Sequence, residues 1–179
     1  EDQQWPKRCG HMMNRVIAPE EEMCGRIKAA ADIRNDSNFV IMARTDARTN
    51  HGINEAIDRM NAYIEAGADV AFVESPESVD EMRMINEQIS APTLANMVEG
   101  GRTPFIPCPE LQELGYNLAI YPGSMGRVLG KSGTRVLEHL KKTGTTDGMQ
   151  DLMYDQPDLF RLFDYKDWTE YEAQFGKRD

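Results

Sequence analysis

The stretch Gly67-Ala68-Asp69-Val70-Ala71-Phe72-Val73-Glu74-Ser75-Pro76 reads as a short buried strand that ends on a carboxylate. Four consecutive apolar residues, Val70 to Val73, without polar alternation suit a parallel strand covered on both faces. The run from Ile53 to Ala66 before it has helical periodicity, and Gly67 sits where a left-handed cap closes a helix. After it, Ser78 with Glu81 three residues on makes a capping box and starts a helix to about Ile89.

The same unit repeats in both directions. Upstream, Pro19-Glu20-Glu21-Glu22 opens a helix to about Arg34, and Phe39 to Ala43 reads as a strand leading into Arg44-Thr45-Asp46. Downstream, strand Thr93 to Ala95 ends at Asn96, and a Gly-rich loop over residues 99–104 leads to a short helix from Pro109 to Leu114. Strand Leu118 to Tyr121 then runs into Pro122-Gly123-Ser124 and a long helix from about Met125 to Lys142. Strands alternating with helices imply βαβ units and a parallel sheet.

The polar residues choose the architecture. Glu1-Asp2, Arg44 to Asp46, Glu74, Asn96 and Tyr121 to Ser124 each fall at the C-terminal end of an expected strand. An open doubly wound sheet would gather such groups at its switch point, whereas a (β/α)8 barrel distributes them around one face. The reading is therefore the C-terminal part of a (β/α)8 TIM barrel, about its last five strands, with a helical extension. Residues 1–143 form the partial barrel and 144–179 the tail. A full barrel runs to about 250 residues, so the chain is expected to be the later part of a longer protein.

Of 179 residues, 40% are hydrophobic and 28% charged, as in ordinary globular proteins. A net charge of −10 disfavours nucleic acid and anionic membranes, which need a basic footprint. No apolar run reaches the roughly 20 residues of a membrane span. The three cysteines have neither metal-ligand nor paired spacing, which points to a reducing cytoplasm. The tail carries Tyr154, Phe160, Phe163, Tyr165, Trp168, Tyr171 and Phe175, apolar surface that needs somewhere to dock.

The chemistry-bearing segment is Pro6-Lys7-Arg8-Cys9-Gly10-His11. A cysteine works as an acid or base where cationic neighbours favour its thiolate, and Lys7, Arg8 and His11 are such neighbours. Gly10 lets backbone amides approach an anion closely. This polar loop offers little packing and is expected to move without ligand. Read alone, Arg44 could pair with Asp46 or Glu74, and Asn96 could cap a turn. His51 and His139 suit the surface, Cys24 and Cys108 are structural, and the eleven methionines are mostly core filler.

Glu1 to His11, Ala43-Arg44-Thr45-Asp46-Ala47, Gly67 to Ser75, Ala95 to Pro104 and Tyr121 to Arg127 together resemble the isocitrate lyase/phosphoenolpyruvate mutase superfamily. Within it they are most similar to the methylisocitrate lyase and 2,3-dimethylmalate lyase branch. The resemblance implies Cys9 as proton donor to the carbanion left by carbon–carbon cleavage, with Lys7 assisting. It implies that Cys9, Gly10, His11, Arg44, Glu74, Asn96 and Arg127 bind substrate, and that Glu1 holds Mg2+ (or Mn2+) through water. The family's direct metal ligands, an aspartate pair on earlier strands, have no counterpart here, so the isolated chain is expected to be inactive.

The implied reaction is a metal-dependent cleavage of a 2-alkylmalate, 2,3-dimethylmalate giving pyruvate and propionate. Alternatives are a methylisocitrate lyase giving pyruvate and succinate, a carboxyphosphonoenolpyruvate mutase-like enzyme, or a non-catalytic fragment acting in assembly. Val98 stands where methylisocitrate lyases carry a threonine, which favours an apolar substituent. Pro122 replaces the serine of oxaloacetate hydrolases. Family members exchange a C-terminal helix between subunits, which implies a homotetramer of helix-swapped dimers.

Overall fold

The computed structural model describes every residue except His11, Met13 and 177–179. The chain divides into two compact units, Glu1–Ser124 and Met125–Asp179. In the first, α1 (Glu20–Ile33), β1 (Met42–Thr45), α2 (Arg48–His51), α3 (Ile53–Glu65), β2 (Val70–Val73) and α4 (Val79–Gln88) follow in order. They continue through β3 (Leu94–Asn96), α5 (Cys108–Glu113) and β4 (Leu118–Ile120). From Ser124 onward come α6 (Ser124–Thr143), a 3-10 turn (Gln150–Leu152), α7 (Gln156–Leu162) and α8 (Tyr165–Phe175).

Among the described residues both strand pairs are parallel. β1 pairs with β2 from Met42 opposite Val70 to Thr45 opposite Val73, and β3 pairs with β4 from Leu94 opposite Leu118. A parallel bridge between Ala71 and Thr93 joins the two pairs. On the far side of β1, the Asp2 N–H donates to Arg44 O at 3.1 Å, so the N-terminal segment borders the sheet. The order is thus the N-terminal segment, β1, β2, β3, β4. Each loop that follows a strand emerges on one side, so Asp2, Asp46, Glu74 and Asn96 share a rim.

The main core lies between the sheet and α1, α3 and α4. Met23 and Ile27 of α1, Ile57, Met60 and Tyr63 of α3, and Ile85 of α4 pack with Ala43, Ala71 and Val73. Those of α1 and of α3 recur three or four residues apart, the spacing that makes one apolar stripe. Gly67 turns the chain from α3 into β2 at φ +112°, where a side chain would be strained. The Ser78 hydroxyl accepts from the Glu81 N–H at 3.1 Å and fixes the start of α4.

Two expectations need correction. The first strand lies at Met42–Thr45 rather than Phe39 to Ala43, because its ladder can begin only opposite Val70. Phe39 and Val40 are exposed; the Phe39 carbonyl accepts from Arg34 and the Ile41 N–H donates to the Asp69 carboxylate. The strands are not uniformly covered either: β2 is buried throughout, but Leu118 and Ile120 of β4 are exposed. No strand among the described residues pairs with β4 on its outer side. Among the described residues, no helix is long and apolar enough to cross a membrane.

Candidate active site

Loops at the strand ends enclose a cavity of about 350 Å³ lined by Glu1, Arg8, Cys9, Gly10, Arg44, Glu74, Asn96, Val98, Pro122 and Gly123. Six of these were singled out as site residues: Glu1, Cys9, Gly10, Arg44, Glu74 and Asn96. Val98 and Pro122, read as substrate determinants, line it too. Arg8 is the addition; of the two loop cations it, not Lys7, faces the cavity. Lys7 pairs instead with Glu1, Nζ to Oε1 at 3.3 Å. His11 lies outside the described residues, and Arg127 belongs to the second unit.

Arg44 is the electrostatic centre. It sits at the penultimate position of β1, so the strand aims its guanidinium toward the rim. Nε and Nη2 donate to Asp46 at 3.1 and 2.9 Å, and Nη2 lies 3.3 Å from Glu74 Oε2. The guanidinium carbon also stands 5.1 Å from the Phe72 ring centroid, within cation–π range. Burial would lower its pKa, but the hydrogen bonds and charges of Asp46, then Glu74 and Glu1, outweigh this and raise it. Arg44 therefore makes both pairings that a structural role would require while still lining the cavity, which suits a fixed cation for a carboxylate.

Glu74 is buried, and its carboxylate accepts from Asn96 Nδ2 at 3.2 Å and from the Ser75 hydroxyl at 2.9 Å. The Asn96 Oδ1 is buried and has no hydrogen-bond partner among the described residues. A buried acceptor without a donor is costly, and a ligand hydroxyl in the cavity would satisfy it. Val98 is held by a turn in which the Gly101 N–H donates to its carbonyl at 2.9 Å, with Gly100 at φ +72°.

The Cys9 segment is tied down more firmly than its polar sequence suggests. Gly10 is buried, and a Cβ there would come within 2.5 Å of Arg44 Nη2 and 2.6 Å of Glu74 Cδ. Its carbonyl accepts from Arg15 and, at 3.3 Å, from the Ser75 hydroxyl. The expectation of little packing is thus corrected at Gly10. Cys9 itself is exposed and is a free thiol, as are Cys24 and Cys108. Cys24 donates toward the Ala62 carbonyl at 3.8 Å, and burial, then Glu20 and Glu21, push its thiol up, consistent with an inert role.

Asp2 does not point at the cavity. Its buried carboxylate accepts from Thr45 Oγ1 at 2.7 Å, the Asp46 N–H at 2.8 Å and the Tyr63 hydroxyl at 2.9 Å, binding the N-terminal segment to β1 and α3. Burial, reinforced by Asp2, pushes the Tyr63 hydroxyl well above its ordinary range. For a divalent cation the donors are few. Among the described residues no group of three or more His, Cys, Asp or Glu side chains is placed to hold a metal ion. Of the two carboxylates at the cavity, Glu74 is engaged by Arg44, Asn96 and Ser75, and Glu1 by itself does not complete a site.

Parallel strands delivering a carboxylate, an arginine and an asparagine to one rim define an α/β, TIM-barrel-like fold with its polar residues on the strand-end face. The chain belongs to the phosphoenolpyruvate phosphomutase family, whose model matches residues 1–141. It is 55% identical over 153 residues to 2,3-dimethylmalate lyase of Eubacterium barkeri, covering 86% of this chain and 53% of that protein. To 2-methylisocitrate lyase of Halalkalibacterium halodurans it is 40% identical over 177 residues, covering 99% and 58%. A crystal structure of 2,3-dimethylmalate lyase, described as a PEP mutase/isocitrate lyase superfamily member, superposes with a TM-score of 0.88 at 32% identity, covering 98% of this chain and 58% of the other. The chain thus spans little more than half the length of these relatives.

Proposed function

We propose that the protein is a carbon–carbon lyase that cleaves 2,3-dimethylmalate to pyruvate and propionate. One observation carries this reading: Arg44, Glu74, Asn96 and Cys9 converge on a single cavity whose remaining wall includes the apolar Val98. The similarity to 2,3-dimethylmalate lyase supports it.

In this reading Arg44 pairs with a substrate carboxylate, and the peptide N–H groups of Cys9 and Gly10 bind the same or a second carboxylate. Asn96 contacts the 2-hydroxyl, its unpartnered Oδ1 accepting that proton's hydrogen bond. Loss of the 2-hydroxyl proton to a base breaks the C2–C3 bond, leaving pyruvate and a carbanion stabilised as the enolate of propionate. Cys9 gives its proton to that carbon, and Lys7 assists from the cavity's edge, where it pairs with Glu1. Val98 packs against a methyl group, where methylisocitrate would place a carboxylate. Mg2+ dependence is part of the proposal for the whole protein, where the ion would offset negative charge on the oxo-acid oxygens. Glu1 is the residue of this chain proposed to hold it through water.

Residues 144–179 are proposed as the tail exchanged between subunits of a homotetramer. The three free thiols suit the cytoplasmic setting proposed for it.

A substrate panel on the intact protein with Mg2+, read as pyruvate release, tests the assignment. A kcat/KM for 2,3-dimethylmalate above that for methylisocitrate supports it. Preference for methylisocitrate, or no pyruvate from either, overturns it.

A further inference from the structure

Two fully enclosed polar side chains flank the Cys9 segment and have no part in the chemistry above. Gln3 is 2% exposed and lies five residues before Arg8. Its Oε1 accepts the Arg8 N–H at 2.8 Å, and its Nε2 donates to the Arg8 carbonyl at 2.9 Å. The second Nε2 hydrogen goes to Asp46 Oδ2 at 3.1 Å. A reversed amide would set its oxygen against a carbonyl and a carboxylate, so the orientation is fixed. One side chain thereby grips both polar groups of a single residue, as a neighbouring strand would.

Arg15 holds the other end. Its Nη1 donates to the Gly10 carbonyl and to Asp46 Oδ1, and its Nη2 to the Thr49 hydroxyl. The Arg15 and Asp46 side chains are both 0% exposed, so this pair is desolvated and anchored. Asp46 also receives two hydrogen bonds from Arg44. One buried carboxylate therefore joins the residue before Cys9, the residue after it and the cavity arginine.

We propose that Gln3, Asp46 and Arg15 form a latch that fixes residues 8–10 against Arg44, making Gln3 and Arg15 positioning residues for Cys9. The proposal rests on the reading of Cys9 as the acid, but its geometry can be tested apart from that reading. Through the shared carboxylate, release of the segment and movement of Arg44 are coupled. Loosening the latch therefore misplaces both the acid and the carboxylate clamp.

Gln3→Met in the intact protein keeps the length of the side chain and removes all three hydrogen bonds. Amide hydrogen exchange of residues 7–12 should rise about 30-fold, the worth of the two hydrogen bonds to Arg8, with exchange in α3 and β2 unchanged. kcat/KM should fall while the melting temperature stays near that of the unaltered protein. Should Gln3→Met not fold, Thr49→Val at a half-buried position removes one anchor of Arg15, and about a fivefold rise is expected. Unchanged exchange over 7–12 overturns the latch. Raised exchange with kcat/KM unchanged shows that the latch holds the loop but not the chemistry, and it overturns the positioning role and the assignment of Cys9 together.

Discussion

Gly10 stands so close to Arg44 that a Cβ built on it would lie 2.5 Å from Nη2. Neither neighbour can step aside cheaply: Arg44 is held by Asp46 and Glu74, and Glu74 by Ser75 and Asn96. Gly10→Ala should therefore lift the loop away from the cavity. Overpacking of this kind costs about 1–3 kcal/mol, so kcat/KM should drop roughly 10–100-fold. The melting temperature should fall by a few degrees, because lifting buried Gly10 also gives up its carbonyl's bonds to Arg15 and Ser75. Kinetics and thermal unfolding measured side by side decide this, and full activity in the variant would contradict the close approach.

Cys9→Ser removes the acidic thiol and keeps a small polar side chain at an exposed position. Loss of one positioned acid lowers the rate by about 10²–10⁴. The expected outcome is that loss in kcat with KM little changed, since the backbone N–H groups of residues 9 and 10 remain. Near-normal turnover would remove Cys9 from the mechanism.

Val98→Thr tests substrate choice. A hydroxyl in place of a methyl at the cavity wall gains about 1.5–3 kcal/mol with a charged group. The ratio of kcat/KM for methylisocitrate over dimethylmalate should rise by about 10–100-fold. An unchanged ratio would make Val98 packing only.

Much of this was legible because local rules and global fold agree. β2 is bracketed by Gly67 and by Glu74-Ser75-Pro76, and its bounds match the apolar run Val70–Val73. Ser78 and Glu81 likewise mark α4 at its N-terminus. β1 was displaced because Phe39 and Val40 are apolar yet exposed, and only pairing with β2 says where a ladder starts. The four residues of α2, Arg48–His51, contain no apolar periodicity to read. Arg44, Glu74 and Asn96 stood out because each is a polar residue directly after an apolar run. Gln3 and Arg15 did not, since their bonds to Asp46 span 43 and 31 residues and leave no pattern in the sequence.

Arg48 clamps the loops beyond β1 and β2 through Glu81, Nε to Oε2 at 2.9 Å and Nη2 to Oε1 at 2.6 Å, and through Glu77 at 2.5 Å. Burial alone would raise the Glu81 pKa, but the Arg48 and Glu77 N–H hydrogen bonds and the Arg48 charge bring it below its ordinary value. A depressed carboxylate stabilises the fold above its unfolded pKa, about 4.3, and that contribution disappears as pH falls through the lower folded value. Glu81→Gln should therefore lower the melting temperature by a few degrees at pH 7, about 1 kcal/mol for a half-buried bidentate pair. The difference should close as pH falls through that lowered folded value. A gap that persists in acid would mean that packing, not charge, is what Glu81 supplies.

The second unit, taken by itself, has no buried residue on α6, α7 or α8. Phe163, Trp168 and Phe175 are 66%, 67% and 72% exposed, although Phe160 stacks on Tyr165 at 4.9 Å and Trp168 meets Tyr171 edge to face. Aromatics at these exposures are rarely left to water in such number. Docking on another subunit would bury them, and exchange of the tail between protomers makes folding and assembly depend on concentration together. If the proposed tetramer forms through this tail, removing everything after Gly144 from the intact protein should give monomers or soluble aggregates by light scattering with a lowered melting temperature. A truncated protein that remains tetrameric and melts where the intact one does would exclude the exchange and leave the aromatic face to some other partner.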